Sequence, residues 1–189
     1  MNKSQETGWL ENMLGWGQRK QTKASELLYV NAVEMARNPA FYATHGVADT
    51  VDGRFDALAL VVALTMRRLK MLSEKGSESA DSGIGASELS QNLFDSMFAD
   101  MDLSLREMGA GDIGVSKRVR IMAEAFMGRL DAYATALDAN DRTALGAALE
   151  RNLLRGQSAP DEALIDFVLA LNEKIAAIDD ADLLAGKLV

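Results

Sequence analysis

Cysteine is absent from this 189-residue chain, histidine occurs once and proline twice. Without cysteine there are no disulfides, no thiolate nucleophiles and no cysteine-based zinc or iron–sulfur sites. That fits a reducing compartment without proving one, since exported proteins also go without cysteine. One histidine excludes a two-histidine metal site within the chain. So little proline leaves long stretches free to be helical. Aromatics make up 6% against 48% hydrophobic residues and ten methionines, so the expected core is aliphatic and methionine-rich. Basic residues are outnumbered 20 to 28, a net charge of −8. A DNA binder needs a basic surface, so DNA is excluded as a partner and ribosome contact is unsupported by the charge. The longest apolar run, residues 57–66, is closed by Arg67 and Arg68. It falls well short of the about 20 residues a membrane span needs, and reads as a buried core helix. The first residues lack the apolar core of a signal peptide.

What is present is helical periodicity. Leu93, Phe94, Met97, Phe98, Met101, Leu105 and Met108 recur at spacings of three and four and form one apolar stripe. Asp95, Asp102, Arg106 and Glu107 fall on other faces, and Asp102 precedes Arg106 by the four residues at which opposite charges meet. Gly109 and Gly111 end that helix. A second follows, with Val119, Met122, Phe126, Leu130, Tyr133 and Leu137 as its stripe and Lys117, Arg118, Arg120 and Arg129 as its positive charge. The pair reads as a helical hairpin or a bent pair.

Elsewhere the spacing predicts a helix over 22–37, a connection over 40–53 and a long apolar helix over 54–72 at the centre of the bundle. A polar insert over 73–87 is expected to be a flexible loop, with Ser87 capping the next helix. A helix from Asp141 to Arg155 should be closed by Gly156. Ser158 then caps a helix with Leu164, Ile165, Val168, Leu171, Ile175 and Ile178 as its stripe. The chain thus divides into an arm over 1–21, one helical domain over 22–178 and an acidic tail over 179–189 with a frayed last turn. The expected fold is an all-α single-domain bundle of about six or seven helices. In the arm, Trp9, Leu10, Met13, Leu14 and Trp16 gather on one face beside Arg19, Lys20 and Lys23. Such a face suits either an interfacial membrane contact or packing on the domain or a partner.

The wording from Leu93 to Arg118 (L-F-D-x-M-F-x-D-M-D-x-x-L-R-E-M-G-x-G-D-I-x-V-x-K-R) resembles the ubiquinol–cytochrome c chaperone family of cytochrome bc1 assembly factors. Two further blocks agree: Asn38 to Tyr42 with Gly46-Val47 and Asp49 to Asp56, then Glu124 to Arg129 with Tyr133. The likeness spans roughly residues 29–155. It implies a helical chaperone that binds newly made cytochrome b, or another bc1 subunit, without catalysis and with no cofactor. The implied location is cytoplasmic, or peripheral on the inner membrane. The residues it points to are Phe41, Tyr42, Asp52, Arg54, Phe55, Asp95, Asp102, Arg106, Glu107 and Lys117, as partner contacts or fold-fixing groups.

Other motifs have plainer readings. Gly109-x-Gly111-x-x-Gly114 matches a dinucleotide fingerprint as a string, but follows a helix where that motif needs a strand, so it reads as a corner. Asp49, Asp52 and Asp56 lack the alternation of a calcium loop. Instead, Arg54 and Asp56 are expected to form a buried clasp with charges on the Leu93–Met108 helix. His45 has no nucleophile beside it and reads as a capping or hydrogen-bonding residue in its loop. The methionine stripe is core by default, and adaptable enough to hold unlike apolar segments. The rival to a chaperone is a helical binder of a quinone or lipid in an apolar cavity. An enzyme would need a cluster of perturbed polar groups, which the sequence does not offer.

Overall fold

The computed structural model describes residues 22–76, 85–107, 109 and 112–188, the side chains of 112, 113 and 116 excepted. The described part is all α-helix: α1 Lys23–Ala36, α2 Pro39–Ala43, α3 Val51–Glu74, α4 Ala86–Glu107, α5 Asp112–Asp138, α6 Arg142–Asn152, α7 Glu162–Ala176 and α8 Asp180–Leu184. Six of these are long and two, α2 and α8, are single turns. The predicted one-domain helical bundle is therefore what forms.

Local chemistry sets most of the starts. Thr22 caps α1 in a reciprocal box: its hydroxyl accepts from the Ser25 N–H at 3.2 Å, and Ser25 Oγ accepts from the Thr22 N–H at 3.0 Å. Asn38 caps α2, with Pro39 in the first turn, where a missing N–H costs nothing. Thr50, Asp141, Asp161 and Asp179 cap α3, α6, α7 and α8. Gly109, at φ +84°, takes the left-handed geometry that ends α4 and turns the chain toward α5.

α3 is the axis. Every residue from Phe55 to Met66 is buried, and α1, α4, α5 and α7 pack around it. An all-round apolar helix needs such neighbours on several sides. α4 and α5 lean on each other through Phe94, Phe98 and Phe126, whose ring centroids lie 4.6 to 5.9 Å apart. Arg67 and Arg68, which end the apolar run, are tethers. Arg67 donates to Asp138 at 2.6 Å and to Asn172 at 3.2 Å, and Arg68 to Asp180 and to the Ile178 carbonyl.

Several expected boundaries move. α3 begins at Val51, because Thr50 caps it, and the connection before it contains α2. α4 begins at Ala86, so Ser87 lies in its first turn and is no cap. α6 stops at Asn152; Arg155 (φ 55°) and Gly156 (φ 68°) curl back, and the Gly156 N–H reaches the Glu150 carbonyl at 2.8 Å. The cap of α7 is Asp161, which accepts from the Leu164 N–H at 2.8 Å, in place of Ser158. The expected frayed tail is a packed turn: Leu183, Leu184 and Leu188 are buried, and Asn31 donates to the Gly186 carbonyl at 2.9 Å. The predicted loop over 73–87 shrinks from both ends, its middle lying outside the described residues.

Candidate functional site

Two features concentrate at the N-terminal end of α3. The first is a surface groove of about 650 Å³. Val33 and Ala36 of α1, Pro39, Tyr42 and Ala43 of α2, Val51, Phe55 and Leu58 of α3, and Met101 of α4 make it largely apolar. It is open to solvent: Val51 is 66% exposed. The groove exists because α2 is one turn long and swings the chain away before Thr50 starts α3. Tyr42 fixes that bend by donating its hydroxyl to the Ala36 carbonyl at 2.8 Å. Burial raises the Tyr42 phenol above its usual range. Four charged residues also line the groove: Arg37, Asp49, Arg54 and Asp100. Arg54 Nε donates to Asp49 at 2.7 Å, and that bond holds the Asp49 carboxyl below its usual range. Arg37 donates to Glu34 at 2.6 Å, and Asp100 accepts from Tyr29 at 2.8 Å.

The second feature is a buried carboxylate. Asp56 has no side-chain exposure and accepts from Arg129 of α5 at 2.6 Å and from Arg155 beyond α6. Arg155 also donates to Asp52 at 3.0 Å. The bond to Asp56 is the main reason that the Arg155 guanidinium is held even more firmly protonated than usual. Arg129 lies over the Phe55 ring, 5.6 Å from its centroid, close enough for a cation–π contact. One face of Phe55 thus meets the clasp while Phe55 also lines the groove.

The expected clasp therefore forms with different partners. Arg54 is exposed and bonds locally to Asp49, while Asp56 is held from α5 and the turn after α6, with α4 uninvolved. The reason is geometric: two positions along a helix turn a side chain by about 200°, so Arg54 and Asp56 face opposite ways.

Of the residues singled out, Tyr42, Arg54 and Phe55 meet in the groove. Phe41 is fully buried, edge-on to Phe167 at 4.9 Å, and does not line the groove. Asp52 belongs to the clasp. Asp95 accepts from Gln91 at 2.9 Å, and Asp102 pairs with Arg106 at 2.5 Å, both within α4. Glu107 and Lys117 are exposed near the α4–α5 corner. None of these five lines the groove, where α4 contributes Asp100 and Met101 instead. Trp9, Leu10, Met13 and Trp16 lie outside the described residues. His45 stacks on Phe167 at 4.5 Å and its Nδ1 has no partner; the hydrogen bond it gives its loop comes from its backbone N–H, which donates to the Ala40 carbonyl at 3.0 Å. Missed from sequence were Val51, read as part of a loop, and Arg155, read as a helix end.

A family model described as ubiquinol-cytochrome C chaperone matches residues 43–189. Among solved structures, the crystal structure of the Cbp3 homolog from Brucella abortus is similar, at 33% identity and a TM-score of 0.70. The alignment covers 97% of this chain and 91% of that one. No curated protein matches the sequence. The family match reaches the last residue, past the packed C-terminal turn and well beyond the blocks that carried the likeness in sequence.

Proposed function

The chain belongs to the ubiquinol-cytochrome C chaperone family, and from that premise we propose that it is a non-catalytic assembly chaperone of the cytochrome bc1 complex. Its client is newly made cytochrome b, or an early intermediate containing it, held before the remaining subunits dock. The single observation that carries this reading is family membership, supported by a structural likeness over nearly the whole chain. The geometry suits holding better than turnover. The ion pairs at the α3 end bind helices to one another, and the adjoining surface is an open apolar groove. Such surfaces accept helices by shape and apolar contact.

Among the described residues no helix is long and apolar enough to cross a membrane. In this reading a membrane-associated client is met peripherally, at the membrane face. The direct test is pulse-labelling of new membrane proteins followed by capture on the tagged full chain. Labelled cytochrome b should appear in the captured fraction and leave it during the chase, as bc1 complex forms. Capture of no bc1 component at any time would refute the reading.

A small apolar ligand is the second reading, because about 650 Å³ lies within the range of ligand pockets. Such pockets enclose most of their ligand, whereas this groove has exposed walls. A quinone or lipid extracted from the pure protein in stoichiometric amount would favour that reading.

A further inference from the structure

We propose that the α1–α2–α3–α4 groove is the client-docking surface and that its occupant is an uncharged apolar helix of the client. This rests on the chaperone reading above. The charged lining residues, Arg37 and Arg54 against Asp49 and Asp100, sum to zero. Each is already engaged within the chain, by Glu34, Asp49, Arg54 and Tyr29. The Tyr42 hydroxyl proton is likewise given to the Ala36 carbonyl. A charged segment would find at most the Asp100 carboxylate, already accepting from Tyr29, as an opposite charge, and placing it against Val51, Phe55 and Met101 would desolvate its charge with little repayment. An apolar helix loses nothing by the match and gains the area of Val51, the most exposed large apolar side chain among the described residues. The open wall selects a helix over an enclosed small molecule, since a helix lays only one face into a groove.

The test uses the tagged full chain, captured from cells with pulse-labelled membrane proteins, and reads the amount of bc1 subunit bound. Val51→Asp places a carboxylate in the groove at the first turn of α3, where the helix dipole favours it, so the variant folds. Ala43→Glu adds a carboxylate to the groove from the exposed last residue of α2. Both should retain the wild-type melting temperature and reduce captured bc1 subunit about tenfold. A neutralised variant outside the groove, Arg142→Gln at the exposed pairs with Glu162 and Asp166, should capture within about twofold of wild type. Raising salt from about 0.1 to about 0.5 M should change capture equally little, since no ion pair crosses the contact. A photo-crosslinker at position 51 should couple to an apolar helix of a bc1 subunit.

Undiminished capture by folded Val51→Asp would overturn the groove while leaving the chaperone reading standing. So would a tenfold loss in the neutralised variant, or a crosslink only to lipid or to a second copy of the chain. If wild type captures no bc1 subunit, the chaperone reading falls and the groove proposal falls with it.

Discussion

The Asp56 carboxylate has no solvent contact and two guanidinium partners from two different elements. Removing one side of a buried ion pair strands the other, a cost of about 3–5 kcal/mol. Asp56→Ala should therefore lower stability by about that amount in urea titration, while Arg54→Ala, whose pair with Asp49 is exposed, should leave the midpoint where it is. Equal effects of the two would contradict the assignment of the clasp. Gly53 offers a second contrast. A Cβ there would lie 2.0 Å from the Ala48 carbonyl oxygen, which is backbone and cannot move aside cheaply. Gly53→Ala should cost about 1–3 kcal/mol as an overpacking change. Gly128→Ala, in mid-helix with nothing near its Cβ, should gain about 0.5–1 kcal/mol. Thermal melts of the two variants should move in opposite directions.

At the scale of elements, most helices were legible because their stripes repeat at helical spacing over many turns. The core positions of α4 and α5, from Leu93 to Tyr133, are where the periodicity puts them, except that Met101, Leu105, Met122 and Leu130 are only half buried, Met108 lying outside the described residues. What could not be read was decided by tertiary contact. Asp52-Gly53 looks like a turn in isolation, yet Thr50 captures the Gly53 N–H and starts the helix three residues early. Residues 179–189 look acidic and frayed because their three buried leucines are too few to form a visible period. Arg68 and Asn31, far away in sequence, hold them in place. The groove was half legible: Tyr42, Arg54 and Phe55 came from family wording, but Val51 and Asp100 needed the fold. Deleting residues 179–189 would expose the surfaces under Leu183, Leu184 and Leu188, each burial worth roughly 1.5–3 kcal/mol. That sum rivals the whole stability of a typical domain. The truncated chain should lose its near-ultraviolet circular dichroism at room temperature; native signal and an unchanged melt would show that the turn is dispensable.

For the whole molecule, the three tyrosines make a common prediction. Tyr29, Tyr42 and Tyr133 are all raised above the ordinary value near 10, chiefly by burial, and Tyr29 also by its bond to Asp100. The folded state therefore keeps protons that the unfolded chain releases. Stability is undiminished below about pH 10 and falls as pH rises through that value, where unfolding begins to release protons. Absorbance of tyrosinate should stay low in the native protein past pH about 10 and rise together with the loss of helix signal. Ionisation of all three phenols near pH 10 with the fold intact would contradict the packing described.

Buried ions lock α3, α5 and the turn after α6 together, leaving an apolar groove on the adjoining face. That the chain acts in bc1 assembly is most directly tested by deleting its gene and measuring haem b spectra and native gels of membranes. The account predicts loss of assembled bc1 complex and of cytochrome b with other cytochromes intact, restored by the wild-type gene. Normal bc1 levels in the deletion strain would contradict it.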